Sequence, residues 1–463
     1  MKRPFRTALA ATTVAALTGG LLTIVTAAPA SAAPAKHADD FNGDGYRDYA
    51  VYSYGPEASS KGGGVLVTFG TADGPGTKTQ FIDQSSAGVP GTDERDDFFG
   101  EVRTAADFNK DGYGDLAVSA NGENVGSYKD NGTVTVLWGG PKGLSGGTAL
   151  PNKGAKGASG LATDLATGDF NGDGNQDLAL VRDNKTYVYR GAITKSGVKG
   201  SVTVLDKDTS SFYSTAVIAG KIDKDGKTDL VVIGDVVSDT YIASDAWFIK
   251  GGKTKLYPGK TLRLESVKGN GGQAERGGDG VIADFDKDGY GDIAIGTPLY
   301  DRYRGRVTLW YGGSTGPSSR TARFTQATKG VKDTPEVDDA FGASVSAGDV
   351  NGDGYRDLAV GAYGEKLGTH AYAGAVHVLL GSKSGLTGTG SQWFARDTPG
   401  VPGGLDDESF GNTVRLRDTD RDGKADLYIS ANYGSLVLRG STKGITTTGA
   451  QPVNGDIIPG MLQ

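Results

Sequence analysis

The chain has 463 residues, no cysteine, 76 glycines and a formal net charge of −7. The lack of cysteine excludes disulfides and thiolate metal sites, and no basic patch of the kind that nucleic-acid binding requires is present. Frequent glycine between short apolar runs is typical of a β-protein with many turns.

Residues 1–32 have the features of a secretory signal peptide. Lys2, Arg3 and Arg6 precede an apolar stretch over residues 8–28, and small residues at 30–32 provide a cleavage site. We therefore predict a signal peptide over residues 1–32 and a secreted, extracellular protein over residues 33–463 with no membrane span. This mature chain has 45 basic and 55 acidic residues, a net charge of −10.

A nine-residue motif organises the rest of the chain. In the copy that begins at Asp349, oxygen-bearing side chains occupy positions 1, 3, 5 and 9, and Gly354 occupies position 6. This alternation lets a tight loop direct several oxygens at one point, while glycine adopts the backbone conformation of the turn. Oxygen ligands without sulfur or imidazole favour Ca²⁺ over zinc or copper.

The motif occurs seven times, at intervals of 52 to 69 residues, with glycine at position 6 and aspartate at position 9 in every copy. The copies begin at Asp40, Asp107, Asp169, Lys221, Asp284, Asp349 and Asp418. An EF-hand is excluded because position 12 is apolar in every copy, where an EF-hand requires glutamate. Short apolar runs follow each loop, so we expect the loop to join two β-strands.

Each repeat contains four predicted strands. In the sixth repeat, a strand over Ala343–Gly348 precedes the loop, Leu358–Val360 follows it, and an alternating strand covers Val376–Leu380. A weaker fourth strand surrounds Trp393. Four strands in each of seven repeats predict an all-β fold, a seven-bladed β-propeller of four-stranded antiparallel blades over residues 33–463.

The repeats resemble a known family. Phe-Gly stands eight residues before three of the loops, at Phe99-Gly100, Phe341-Gly342 and Phe410-Gly411, and Gly361-Ala-Tyr363 follows the sixth loop. Together with the aspartate loop, these motifs are similar to the FG-GAP repeats of integrin α-subunit head domains and their bacterial relatives. The resemblance implies a seven-bladed propeller with Ca²⁺ in the hairpin between the first two strands of a blade, and recognition of an extracellular ligand.

Six loops have a complete set of oxygen ligands, so we predict about six bound Ca²⁺ ions. The side-chain ligands are Asp40, Asn42, Asp44 and Asp48; Asp107, Asn109, Asp111 and Asp115; Asp169, Asn171, Asp173 and Asp177; Asp284, Asp286, Asp288 and Asp292; Asp349, Asn351, Asp353 and Asp357; and Asp418, Asp420, Asp422 and Asp426. Backbone carbonyls at position 7 complete the coordination, and they belong to Tyr46, Tyr113, Asn175, Tyr290, Tyr355 and Lys424.

The fourth loop begins with Lys221 in place of aspartate. A cation there replaces a ligand and repels a metal ion. We predict that this loop is metal-free and that the Lys221 ammonium pairs with the three remaining aspartates, Asp223, Asp225 and Asp229.

The face opposite the metal loops is the predicted ligand surface. In an antiparallel blade, the first-to-second connection emerges on one face, and the second-to-third connection emerges on the other. These second-to-third connections are long and rich in tyrosine, which provides large contact area at low entropic cost. The candidate ligand-binding residues are Tyr300, Tyr303, Tyr363 and His370.

These features favour a binding or adhesion module for an extracellular protein or glycan, expected to be a monomer. The alternative is an extracellular hydrolase or lectin on the same propeller. No catalytic residue is assigned, because the chain has three histidines, no Gly-x-Ser-x-Gly motif and no phosphate-binding loop.

Overall fold

The computed structural model describes residues 33–151, 162–207, 211–268, 279–406 and 408–462. These residues form seven antiparallel sheets in a ring. The predicted seven-bladed β-propeller is therefore confirmed. The predicted signal peptide, residues 1–32, lies outside the described residues.

The strands follow one another through the sheets in chain order. The first three sheets contain β1 (Tyr49–Ser53), β2 (Gly64–Thr71) and β3 (Gly74–Asp83); β4 (Arg103–Ala106), β5 (Asp115–Ala120), β6 (Thr133–Trp138) and β7 (Ser145–Ala149); and β8 (Ala162–Gly168), β9 (Asp177–Arg182), β10 (Lys185–Thr194) and β11 (Gly197–Leu205). The fourth and fifth contain β12 (Phe212–Gly220), β13 (Asp229–Val237), β14 (Tyr241–Lys250) and β15 (Tyr257–Lys268); and β16 (Gly280–Ala283), β17 (Asp292–Thr297), β18 (Arg306–Trp310) and β19 (Thr321–Phe324). The last two contain β20 (Val345–Gly348), β21 (Asp357–Ala362), β22 (Ala375–Leu380) and β23 (Thr387–Ala395); and β24 (Val414–Arg417), β25 (Asp426–Ile429), β26 (Leu436–Arg439) and β27 (Thr446–Pro452).

Helical structure among the described residues is limited to three short segments, at Pro56–Ala58, Tyr300–Tyr303 and Gly455–Gly460. The first strand of each four-stranded sheet lies at its inner edge, because these first strands contact one another from sheet to sheet, as β16 contacts β20 and β20 contacts β24. In the six four-stranded sheets the predicted metal loop connects this inner strand to the second strand, and in the first sheet it directly precedes β1 and contacts the second loop through the Gly114 amide and the Asp40 carbonyl. All seven loops therefore lie on one face of the ring.

The hydrophobic core lies between neighbouring sheets. Leu358 and Val360 of β21 pack into a cluster shared with the fifth sheet, whereas Ala359 packs into a cluster shared with the seventh. All three residues are completely buried. Successive side chains of a strand point to opposite faces, so a strand buried on both sides is apolar throughout, as the short runs after each loop predict.

The C-terminal segment closes the ring. The first sheet has three described strands, and residues 455–462 lie against β1 at its inner edge. On one side, Arg415 and Arg417 of β24 donate hydrogen bonds to the carbonyls of Met461 and Leu462, at 3.1 and 3.2 Å. On the other side, Arg103 of β4 donates to Pro459 at 3.4 Å. The segment therefore takes the place of an inner strand between the second and seventh sheets.

A completely buried histidine in β22 predicts acid sensitivity. His377 packs between the rings of Phe341 and Trp393, at centroid distances of 5.1 and 4.9 Å. Neither ring nitrogen has a hydrogen-bond partner among the described residues. Burial, with a smaller effect of Lys332, lowers the pKa of His377 to about 3.

We expect this histidine to destabilise the protein as the pH falls from about 6.5 towards 3, because the unfolded chain binds a proton that the folded chain excludes. Above pH 6.5 both states are neutral and the penalty is absent. A His377→Leu variant removes this dependence, and leucine is chosen because Leu436 occupies the same position of the seventh sheet. At pH 5 the difference corresponds to about 2 kcal/mol. Urea unfolding of both proteins from pH 7.5 to 4 measures it, and parallel pH profiles would contradict the assignment.

Candidate metal centres

The sixth loop shows how the motif folds. Asp349 accepts hydrogen bonds from the backbone amides of Gly352 and Gly354, at 2.6 and 2.8 Å. Asn351 and Asp353 each accept one from the amide two residues later, both at 2.9 Å. Gly354 has φ +85°, a conformation that favours glycine. The side chains at positions 1, 3 and 5 thus curl the loop around their own oxygens.

The aspartate at position 9 anchors the loop to the third strand. The two oxygens of Asp357 accept hydrogen bonds from the amides of Val350 and Gly381, at 2.9 and 2.8 Å. The first six loops share this pair of bonds, made by Asp48, Asp115, Asp177, Asp229, Asp292 and Asp357. The sequence predicts this aspartate only as a metal ligand. Its structural role depends on a second amide that lies 14 to 24 residues further along the chain.

These buried carboxyls lie in an environment that disfavours their charge. Burial, together with repulsion from the other loop aspartates, raises the pKa of Asp48, Asp115, Asp177 and Asp292 to about 7. The pKa of Asp357 rises to about 6 for the same reasons. A bound cation stabilises ionised carboxylates, so the loops are electrostatically suited to one.

The positions of the oxygens also fit a hard divalent cation. In the fifth loop, one carboxylate oxygen each from Asp284, Asp286 and Asp292 lies within 4.8 Å of the others. Asp418, Asp420 and Asp422 form an equivalent group in the seventh loop. Oxygens that share one Ca²⁺ at about 2.3–2.6 Å are at most about 5 Å apart. Asp286 is buried, and its Oδ1 has no hydrogen-bond partner among the described residues.

In the fourth loop, the predicted ion pairs of Lys221 are wrong. The Lys221 side chain is exposed, and Lys250 at the end of β14 pairs with Asp223 and Asp225 instead, the second at 3.0 Å. Lys227 also contacts Asp225 at 3.0 Å. The compensating cation therefore comes from the third strand of the blade, 27 residues from Asp223, rather than from the first position of the loop.

Arginines contact two other loops. Arg439, at the position of β26 that corresponds to Lys250 in β14, pairs with Asp426 at 2.7 Å and lies 3.9 Å from Asp420. Arg320 contacts Asp286 at 2.8 Å. A metal ion that binds either loop must displace the arginine from these carboxylates or share the carboxylates with it. We therefore expect the seventh loop to bind Ca²⁺ more weakly than the first, third and sixth loops.

The structure places the four candidate ligand-binding residues in neighbouring connections but does not join them into one cluster. Tyr363 lies near Tyr303, and burial followed by the neighbouring Tyr303 and Tyr372 raises its pKa. Tyr300 stacks on the Arg306 guanidinium, 3.9 Å from the ring centroid. His370 instead contacts Asp406 of the next repeat at 2.6 Å.

Exposed tyrosines recur in the second-to-third connections of five sheets. The exposed residues are Tyr54, Tyr128, Tyr303, Tyr372 and Tyr433. Tyr433 is 70% exposed. It is not among the candidate ligand-binding residues predicted from the sequence. Its signal was the sequence Asn432-Tyr433-Gly434 shortly after the seventh loop, which is similar to Ala362-Tyr363-Gly364 of the sixth repeat but lies one residue further from its loop.

The sequence of the chain matches two repeat families. FG-GAP repeats match residues 99–137, 277–310 and 341–379, and an FG-GAP-like repeat matches residues 169–232. The FG-GAP matches include the second, fifth and sixth metal loops. The FG-GAP-like match includes the third and fourth loops and ends within β13.

Integrin α-subunits and a phospholipase are among the similar proteins. Integrin alpha-PS2 of Drosophila melanogaster is 27% identical over 218 residues, 44% of this chain and 15% of the relative. Integrin alpha-IIb of Homo sapiens is 29% identical over 225 residues, 43% of this chain and 20% of the relative. Phosphatidylinositol-glycan-specific phospholipase D of Bos taurus is 32% identical over 157 residues, 33% of this chain and 18% of the relative.

Each match thus covers a fifth or less of the relative's own length. No helix in the described part of the chain is long and apolar enough to cross a membrane.

Proposed function

The chain is an integrin-like FG-GAP β-propeller, and we propose that it is a secreted, Ca²⁺-binding module that recognises an extracellular protein or glycan. The observation that carries the recognition role is the recurrence of exposed tyrosines in the second-to-third connections of five sheets, on the face opposite the metal loops. Two further exposed tyrosines, Tyr213 and Tyr257, lie in β12 and β15. Secretion is supported by the signal-peptide features of residues 1–32.

The calcium role is supported by the six loops with complete oxygen sets and by their buried, mutually repelling carboxyls. A metal ion in each loop neutralises these charges and fixes the turn between the inner strand and the second strand. Calcium on this face holds the blades in place, which leaves the opposite face for a ligand.

The tyrosine-bearing connections have properties of a recognition surface. Tyr303 and Tyr372 are 41% and 44% exposed. Both have positive φ, 62° and 53°, which is uncommon for residues other than glycine. Such backbone strain concentrates at functional sites. Tyrosine is also among the residue types that contribute most binding energy at interfaces.

The proposal is tested by capturing ligands on the Ca²⁺-loaded protein, residues 33–463, with a glycan array and a library of extracellular proteins. For any ligand found, we expect the double variant Tyr303→Ala and Tyr372→Ala to bind about tenfold more weakly or worse, because truncating a buried aromatic anchor costs about 2 kcal/mol. The melting temperature should change little, since both side chains are exposed.

Tyr355→Ala is the matched control, because Tyr355 lies in the sixth metal loop on the other face and its backbone carbonyl remains in the variant. Its affinity should equal that of the unmodified protein. Loss of binding in Tyr355→Ala with full binding in the double variant would assign recognition to the metal face instead.

A further inference from the structure

A second kind of carboxylate cluster lies on the face opposite the metal loops. Glu336 and Asp339 precede β20, and Glu365 lies in the connection between β21 and β22. One oxygen of each lies within 4.8 Å of the others. Asp339 and Glu365 are each 1% exposed, whereas Glu336 is exposed. The cluster thus combines two buried carboxylates with one exposed carboxylate.

Two buried oxygens at this cluster have no hydrogen-bond partner among the described residues. Asp339 accepts a hydrogen bond from the Glu336 amide through Oδ2, but its Oδ1 has no partner. Gln326, also 1% exposed, donates through Nε2 to Glu365, and its Oε1 has no partner. Buried oxygens without a donor are costly. One of these two belongs to a member of the cluster, and the other belongs to the amide that donates to Glu365.

The nearest cation to the cluster is Arg304, whose charge partly offsets the raised pKa of Asp339 without a contact between the two side chains. None of the three carboxylates forms an ion pair with lysine or arginine within the described ranges. Arg304 is instead held by Asp301 at 3.4 Å and by the carbonyl of Pro335 at 3.3 Å. Burial and the nearby Asp339 raise the pKa of Glu365 to about 8, and burial and Glu336 raise that of Asp339 to about 7.

The seventh repeat has an arginine at the corresponding place. Arg396 stands at the position of Gln326, and Glu408, two residues before Phe410, stands at the position of Asp339. The buried Arg396 guanidinium pairs with Glu408 at 3.1 Å and donates to the carbonyls of Tyr433 and Gly434, both at 2.7 Å. Gly434 stands where the sixth repeat has Glu365.

The Glu336–Asp339–Glu365 cluster of the sixth repeat is therefore more negative than the Arg396–Glu408 pair of the seventh. The seventh repeat has one carboxylate and one guanidinium, whereas the sixth has three carboxylates and an amide. We propose that the Glu336–Asp339–Glu365 cluster, with the amide oxygen of Gln326, binds one Ca²⁺ ion in the position that the Arg396 guanidinium takes in the seventh repeat. Four oxygen-bearing side chains and no nitrogen or sulfur ligand suit Ca²⁺.

The second repeat has a related arrangement with one difference. Gln84 donates to Glu123, and Asp97 accepts from the Glu94 amide at 2.8 Å, as in the sixth repeat. Here, however, Asn124 donates to the Glu94 side chain at 2.7 Å. The residue after Glu365 is Lys366, and its recorded contact in the described part of the chain is a hydrogen bond from its backbone amide to Glu365 at 3.2 Å rather than one to Glu336. We therefore assign the additional ion to the sixth repeat alone.

The test counts bound Ca²⁺ per chain by metal analysis after equilibrium dialysis at fixed free Ca²⁺. The double variant Asp339→Asn and Glu365→Gln should hold one ion fewer than the unmodified protein. Gln326→Arg, which copies the seventh repeat, should also lose one ion while remaining folded, since the guanidinium supplies the missing charge. Crystals grown with Tb³⁺ should give an anomalous peak between Glu336, Asp339 and Glu365.

Asp338→Asn is the control, because Asp338 is exposed, adjacent to the cluster and outside the group of converging oxygens. It should keep the full ion count. An unchanged count in both cluster variants would overturn the proposal and leave the carboxyls as a protonated, metal-free group. The number of bound Ca²⁺ ions does not depend on whether the protein captures a ligand. Failure of this proposal can therefore be distinguished from failure of the proposed recognition role.

Discussion

Removal of Ca²⁺ by excess chelator is expected to lower the melting temperature by about 3–9 °C. Sites of extracellular type bind Ca²⁺ with dissociation constants of about 10⁻⁴–10⁻³ M. At about 1 mM free ion, each contributes about 0.4–1.4 kcal/mol, and six contribute about 2.5–8.5 kcal/mol. An unfolding entropy of about 2.1 cal/mol/K per residue converts each kcal/mol into about 1 °C for a chain of about 430 residues.

Calorimetry with and without chelator measures this shift, and identical curves would refute a structural role for the loops. The number of loop ions is counted in the Asp339→Asn and Glu365→Gln background, where six are expected. In that background, replacing Lys221 with Asp and Lys250 with Leu should add a seventh ion, because the first supplies the missing ligand and the second removes the competing ammonium. Replacing Lys221 alone should add little, since Lys250 still contacts Asp223 and Asp225.

Ile458→Ala is expected to destabilise the protein by about 2–5 kcal/mol, the usual cost of truncating a fully buried aliphatic side chain to alanine. Ile458 is completely buried in a cluster with Tyr49 of the first sheet and Tyr428 of the seventh. Deleting residues 455–463 should have a larger effect, because it also exposes β1 and leaves Arg415 and Arg417 without the Met461 and Leu462 carbonyls. Thermal and urea unfolding measure both variants.

Ile458→Val is the graded control, with an expected loss of about 0.5–1.5 kcal/mol. A deletion variant that melts with the unmodified protein would show that the ring is closed by other contacts, such as the buried pair of Arg417 with Asp39 at 2.8 Å.

The periodic features of the chain could be predicted from sequence because each is local. Position 6 of the loops requires a turn conformation that glycine favours, and a continuous apolar run such as Leu358–Val360 is typical of a strand buried on both faces. These constraints act within about 15 residues, so the number of blades and the strands of the sixth repeat follow from spacing alone.

Contacts between distant segments could not be predicted in this way. The sequence places Lys221 in the fourth loop, but it does not show that the end of β14 brings Lys250 onto the same aspartates. Likewise, Asp339, Glu365 and Gln326 stand in separate segments of the chain, and only the folded connections bring their oxygens together. Ring closure by residues 455–462 also depends on packing between the two ends of the sheet series.

The order of the closing contacts along the chain has a consequence for biosynthesis. Residues 455–462 follow all seven sheets, yet they lie beside the first. A growing polypeptide can therefore form individual blades as their hairpins emerge, but the first and last blades remain unjoined until the final segment has been translated. During that interval, Tyr49 and Tyr428 lack their cover of Ile458 and Met461. The nascent propeller therefore leaves this apolar surface between its first and seventh sheets uncovered until residues 455–462 have been made.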